Sequence, residues 1–238
     1  VGSRTLQRAY LAINVPLVIA IFTLPAYHTY LWGSMGWLAT GAVAVGVMRN
    51  RPSKRWPWIC VAIALGFFIS GDITYDVLTK FLDESNPFPS IADVFYLTCY
   101  PFFAAGLIGM VRARRREPDI GALFDAMTVT AGAALLSWMY LIQPYVHANN
   151  MTLLQKVVSV AYPLGDILIL SVLARLLFAG ALRNAAISLL STGAVGLLVA
   201  DCVYGWIQLN GNWKVGGPTD LGWVAFYVFW GAAALHPS

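Results

Sequence analysis

The residues able to do chemistry in this chain are aspartates set in apolar surroundings. Asp72 and Asp76, Asp166 and Asp201 fall inside long hydrophobic stretches, Asp93 and Asp220 near the starts of two more, and Asp125 near the start of another. A carboxylate at the centre of a membrane-spanning helix costs ~2.5–3.5 kcal/mol on insertion scales. The four deepest would together cost on the order of 10–14 kcal/mol, so they are expected to face a bundle interior or a wet cavity rather than lipid. Acids so placed can take up a cation or a proton, hydrogen-bond to donors on other helices, or, as the neighbours Asp72 and Asp76, divide acid and base roles.

Aromatic residues follow these acids at helical spacing. Asp72 has Tyr75 at i+3 and Asp76 at i+4, and Asp201 has Tyr204 at i+3 and Gln208 at i+7. Asp93 has Tyr96 and Tyr100 at i+3 and i+7, Asp220 has Trp223 and Tyr227 at the same offsets, and Asp166 has Tyr162 at i−4. Offsets of three, four and seven share one helix face, so each acid is expected beside an aromatic of its own helix. Tyr and Trp can donate to a carboxylate and lower the cost of burying it.

Other chemistry finds little footing. His28 and His147 are the candidates for a metal, but neither shows ligand spacing, so no metal and no cofactor are expected. Cys60, Cys99 and Cys202 all lie in apolar stretches and form neither a CxxC motif nor a disulfide framework. There is no Walker loop, GxSxG or HExxH, and hence no soluble-type catalytic centre.

The elements that must position the acids follow from composition. The chain is 59% hydrophobic and 11% charged, far from the balance of a soluble domain. Its net charge of +4 would elsewhere suggest nucleic acid, but the charges sit in short runs between apolar stretches, the pattern of a multi-pass membrane protein. Spans of ~20 residues are needed to cross the hydrocarbon core. The sequence predicts an all-α polytopic protein with about eight spans, at 9–27, 33–48, 56–80, 90–111, 120–143, 152–178, 184–209 and 220–235, the second and eighth short. They form a single transmembrane domain over 1–238.

The basic residues orient the spans. Arg4 and Arg8, then Arg49, Arg51, Lys54 and Arg55, then Arg112, Arg114, Arg115 and Arg116, then Arg175 and Arg183 place twelve of the fifteen on one side. Lys80, Lys156 and Lys214, with Asp83 and Glu84, fall on the other. Both termini are therefore expected in the cytoplasm, with the chain in the inner membrane. Val1 at the start and an apolar run just before Ser238 read as a piece of a longer protein, with no cleavable signal peptide.

With this orientation Asp72, Asp76, Asp93, Asp201 and Asp220 cluster in the outer half and Asp166 lies beneath them. The expectation is a polar, aromatic-lined cavity between spans three, four, six, seven and eight, open to the outer face. Spans three–four and seven–eight resemble one another: Asp72-x-x-Tyr75 matches Asp201-x-x-Tyr204, and Asp93-x-x-Tyr96 matches Asp220-x-x-Trp223. The acids are separated by 21 residues in one hairpin and 19 in the other. With Tyr100-Pro101 and Tyr162-Pro163, this reads as parallel helical hairpins repeated about every 60–65 residues. Pro16, Pro25, Pro101 and Pro163 are expected to kink spans and free carbonyls.

Several short motifs occur in a telling order. They are Pro89-Ser90-Ile91-Ala92-Asp93-Val94-Phe95-Tyr96-Leu97 with Tyr100-Pro101, Tyr162-Pro163-Leu164-Gly165-Asp166, Ala200-Asp201-Cys202-Val203-Tyr204, and Trp230-Gly231-Ala232-Ala233-Ala234-Leu235-His236-Pro237-Ser238. Together they resemble the N-terminal multi-pass sensor region of bacterial, often actinobacterial, GGDEF/EAL signalling proteins, which make or degrade cyclic di-GMP. The resemblance runs from span three onward. It implies a sensory input domain that is not itself an enzyme, a cytoplasmic output domain after residue 238, and a homodimer, since output cyclases act in pairs. It carries over no ligand contacts. Beside it stand a small-molecule or ion transporter, an intramembrane acid-dependent lipid enzyme, and a scaffold whose acids only join helices. The residues expected to line a ligand site are Asp72, Tyr75, Asp76, Asp93, Tyr96, Tyr100, Tyr162, Asp166, Asp201, Tyr204, Asp220 and Trp223.

Overall fold

The structure, a computed structural model, describes residues 2–82, 87–114, 120–178, 184–210 and 216–237. All regular secondary structure among them is helical. In chain order the helices are α1 (Ser3–Thr23), α2 (His28–Asn50), α3 (Trp56–Lys80), α4 (Ile91–Arg114), α5 (Ile120–Ser137), the short α6 (Gln143–His147), α7 (Leu153–Phe178), α8 (Ala185–Asn210) and α9 (Asp220–Leu235). A 3₁₀ turn, Pro25–Tyr27, joins α1 to α2, and a π-helical turn, Trp138–Ile142, joins α5 to α6. Among the described residues, seven helical segments are long and apolar enough to cross a membrane, and α9, at 16 residues, is a shorter apolar helix. The chain is an all-α, multi-pass membrane protein.

The ends of the first two spans differ from the sequence reading. α1 begins at Ser3, ahead of residue 9, because its polar first turns are held by the bundle: Ser3 donates to Asn50 Oδ1 at 2.7 Å and Gln7 to the Ala232 carbonyl at 3.0 Å. It ends at Thr23, and Pro25 starts a 3₁₀ turn between helices instead of kinking one, since proline suits a first turn. The second segment then runs over Pro25–Asn50 and is of full spanning length. The helix therefore takes in His28–Trp32, ahead of the expected start at residue 33, and runs two residues past the expected end at 48. Pro16, Pro101 and Pro163 do lie inside helices.

The packing closes a ring. α2 packs on α3, α3 on α4, α4 on α7, α7 on α8, α8 on α9, and α9 back on α2. α1 lies against α2 and α9, while α5 lies against α7. Both outer helices present apolar side chains outward, Val15 and Ile19 on α1 and Phe124, Leu135 and Leu136 on α5, as a lipid-facing surface requires. The hairpins α3–α4 and α8–α9 make the closest pairs. On α8–α9 a Cβ added to Gly222 would lie 2.7 Å from Ala200 Cβ, so only glycine permits this approach. The core centres on α9, with Phe226, Tyr227 and Trp230 fully buried against Phe103 and Phe68.

The N-terminus, the α2–α3 connection and the C-terminus meet at one end. Asn50 donates to the carbonyls of Ala234 and His236 at 2.9 and 3.0 Å, capping the end of α9. Arg4, Arg8, Arg49, Arg51, Lys54 and Arg55 flank this end in sequence. Arg115, Arg116, Arg183, Lys214, Asp83 and Glu84 lie outside the described residues, as does Ser238.

Candidate functional site: a carboxylate and aromatic network

Asp72, in the C-terminal half of α3, accepts three hydrogen bonds. Trp32 Nε1 of α2 and Tyr227 Oη of α9 donate to Oδ2 at 2.8 and 2.7 Å, and Tyr96 Oη of α4 donates to Oδ1 at 2.7 Å. One carboxylate thus joins four helices. Gly71 makes room for this: a Cβ there would stand 2.7 Å from the Tyr96 ring.

A second centre pairs two acids. Asp166 of α7 and Asp201 of α8 lie within electrostatic range of one another. Tyr100 Oη of α4 donates to Asp166 Oδ1 at 2.9 Å, and Trp223 Nε1 of α9 donates to Asp201 Oδ1 at 2.8 Å. Gly165 lets the Tyr100 ring lie against α7, since a Cβ would stand 2.6 Å from its Cε1. In both centres a glycine directly before the acid seats the ring whose hydroxyl bonds that acid. Buried Cys99 of α4 lies within electrostatic range of Asp72, Asp166 and Asp201, between the two centres.

Two acids stand at helix starts. Asp93, in the first turn of α4, accepts the Ser90 backbone N–H at 2.6 Å and Tyr162 Oη of α7 at 2.6 Å. The Ser90 hydroxyl accepts the Ala92 N–H at 3.2 Å, so the pair resembles a capping box with the acid one methylene shorter. Asp220, first in α9, accepts the Gly216 N–H at 2.7 Å, with His28 Nε2 of α2 3.8 Å away. Thr152 and Gln155 form a capping box on α7, and Gln155 also donates to the Phe88 carbonyl at 3.2 Å, fixing the entries of α4 and α7 together.

The remaining sites form a rim. Asp76 pairs with Lys80 at 2.9 Å, and Lys80 also bonds Thr29. Tyr204 accepts from Gln208 at 2.6 Å and packs edge-on to Trp223, with ring centroids 5.7 Å apart. Tyr75 is half-buried within electrostatic range of Asp76 and Asp93. Asp125 is exposed on α5.

The acids and aromatics therefore do come together, but the expected pairing within each helix is replaced by pairing between helices. Asp72 bonds Tyr96 and Tyr227, not Tyr75; Asp201 bonds Trp223, not Tyr204; Asp93 bonds Tyr162, not Tyr96; Asp166 bonds Tyr100, not Tyr162. The reason is length. A tyrosine carries its hydroxyl well beyond the tip of a short aspartate on its own helix, so it reaches the neighbouring helix instead. Trp32 and Tyr227 were absent from the expected site. Tyr227 had a signal, its i+7 spacing from Asp220; Trp32 had only its place one turn after His28.

The bonds also correct the repeat. The pattern recurs over about 130 residues, not 60–65: Asp72 and Asp201 are 129 apart and Asp93 and Asp220 are 127 apart. In each hairpin the aromatic three residues after the second acid donates to the first acid, Tyr96 to Asp72 and Trp223 to Asp201. α2 and α7 take equivalent places in the ring, and His28 and Trp32 on one answer to Tyr162 and Asp166 on the other. The Tyr-Pro pairs of α4 and α7 are not equivalent positions.

His147 is exposed and its Nδ1 bonds the Gln143 carbonyl at 2.9 Å, away from His28. Among the described residues no group of three or more His, Cys, Asp or Glu side chains is arranged to hold a metal. At the opposite end a cavity of about 390 Å³ opens between α2, α3, α4, α8 and α9, beside Asn50, Lys54 and His236. Comparison with protein-family models, with curated proteins and with solved structures finds no match.

Proposed function

We propose that the chain is a membrane-embedded sensory input domain. Its outer-face acidic and aromatic network takes up a small polar or cationic ligand, or protons, and the resulting change in packing regulates a cytoplasmic GGDEF/EAL domain that makes or degrades cyclic di-GMP. The observation that carries this reading is Asp72, whose carboxylate ties α2, α3 and α4 to α9, the helix that leads to the chain's end. α9 is also gripped along its length by Tyr10, Gln7 and Asn50, which bond its carbonyls at Tyr227, Ala232, Ala234 and His236. A ligand that favours one arrangement of the Asp72 bonds shifts α9, provided its affinity differs between the two states. In this reading the chain sits in the inner membrane with both termini in the cytoplasm, and acts as a homodimer.

The nearness of Asp166 and Asp201 supports a second reading, a proton-coupled transporter, because neighbouring intramembrane carboxyl groups are the chemistry on which protons and cations exchange. The reading frame beyond Ser238 separates the two. A GGDEF or EAL domain there supports the sensor. A stop codon removes the signalling argument and brings transport, tested by flux into liposomes, to the front.

A further inference from the structure

The two halves of the ring differ at their outer ends. In one, Asp93 at the start of α4 is closed by Tyr162 of α7 at 2.6 Å. In the other, Asp220 holds the same place at the start of α9, and α2 brings His28, whose Nε2 stops 3.8 Å from Oδ2. Asp220 is 1% exposed and the His28 side chain 11%. Among the described residues, Asp220 Oδ1 and both ring nitrogens of His28 are buried without a hydrogen bond. Such groups in a folded interior call for an occupant. The occupant that needs no further room is a proton.

We propose that His28 and Asp220 form a proton-binding site at the outer mouth of the ring. When the ring takes the proton, Nε2–H donates to Asp220, and a charge-assisted bond joins α2 to the first turn of α9. The second half then closes as the first is already closed. His28 stacks on Trp32, with centroids 5.3 Å apart, and Trp32 holds Asp72, so closure bears directly on the four-helix carboxylate. A charged imidazole over an indole face is itself favourable.

Among the described residues the other ionisable groups near this place are few. α9 offers Asp220 and Tyr227. α3 offers Asp72, behind Trp32, and the Asp76–Lys80 pair, with Lys80 bonded to Thr29 next to His28. The 3₁₀ turn offers Tyr27; on α1, Arg4 and Arg8 lie in the first two turns, near the end where Ser3 meets Asn50, and no ionisable side chain follows Tyr10 in the stretch that runs toward His28.

This inference rests on the sensory reading only for its consequence in the cytoplasm, and its test uses the chain alone, in lipid nanodiscs. Hydrogen exchange is measured at about pH 8 and pH 5 and corrected for the chemical pH dependence of exchange. The first turn of α9, Asp220–Val224, should gain protection on acidification by on the order of tenfold. The first turn of α4, already closed by Tyr162, should not change. His28→Gln and Asp220→Asn should each abolish the gain, with His28→Asn as substitute should the glutamine variant not fold. No gain in the unaltered chain, or a gain that survives either substitution, overturns the site. Such a failure leaves the sensory reading standing, because that reading is judged by cyclic di-GMP output.

Discussion

The Tyr227 hydroxyl donates to Asp72 Oδ2 at 2.7 Å across 155 residues of chain. The bond joins the last helix to the third and shares its acceptor oxygen with Trp32 of the second. Removing it while keeping the ring, by Tyr227→Phe, leaves Asp72 with two donors. Interhelical hydrogen bonds in membrane proteins average about 0.6 kcal/mol and reach about 1.7 kcal/mol. Tyr227→Phe is expected to lower stability by about 1 kcal/mol, read from unfolding of the purified protein. Its effect should largely vanish in an Asp72→Ala background, which removes the acceptor the hydroxyl bonds.

The glycines before the acids are expected to be intolerant. Gly71→Ala and Gly165→Ala would drive a methyl group into the rings of Tyr96 and Tyr100. Overpacking of this kind costs about 1–3 kcal/mol. Gly41 and Gly132 have open space around the same position, so alanine there should be neutral or stabilising. Thermal unfolding of the four variants side by side gives the comparison. Equal effects at all four would mean that the rings do not sit on α3 and α7 as described.

Much of this was legible in the sequence, and the limits have physical reasons. Long apolar runs gave the helices, because few other structures satisfy the backbone in lipid. The cost of buried carboxylates singles out Asp72, Asp76, Asp166 and Asp201; three of them form the centres of the network, while Asp76 pairs with Lys80 on its own helix. The partners were misassigned because helical spacing reports only what shares a face, and a tyrosine donates beyond its own helix. Trp32 was missed for the same reason, since nothing in the run His28-Thr29-Tyr30-Leu31-Trp32 shows that it faces Asp72. The repeat was seen in α3–α4 and α8–α9 but given half its period, because the Tyr-Pro pairs of α4 and α7 suggested an equivalence that the ring does not have.

The end of α9 depends on one side chain. Asn50 holds the carbonyls of both Ala234 and His236, and is itself held by Ser3. Asn50→Ala should leave the bundle folded and loosen only the last turn of α9. Hydrogen exchange at residues 233–236 should quicken, by roughly fivefold or more if about 1 kcal/mol is lost, with the first turn of α9 unaffected.

At the acid pair, Asp201→Asn keeps a polar side chain beside Asp166, and its amide N–H can donate to that carboxyl group. Asp201→Leu leaves Asp166 buried without that partner, its remaining donor being Tyr100. The asparagine variant is expected to purify as folded protein, and the leucine variant to lose about 1–3 kcal/mol more. Chromatographic yield and thermal unfolding in detergent provide the readout.

The most direct test of the functional account is the cyclic di-GMP level set by the full reading frame with Asp72→Asn, compared with the unaltered protein at equal membrane abundance. The substitution keeps the shape and replaces the carboxylate that joins α2, α3, α4 and α9. The account expects output to change several-fold in a protein that remains folded and membrane-inserted. Output equal to that of the unaltered protein would contradict it, and would leave Asp72 as a joint between helices with no part in signalling.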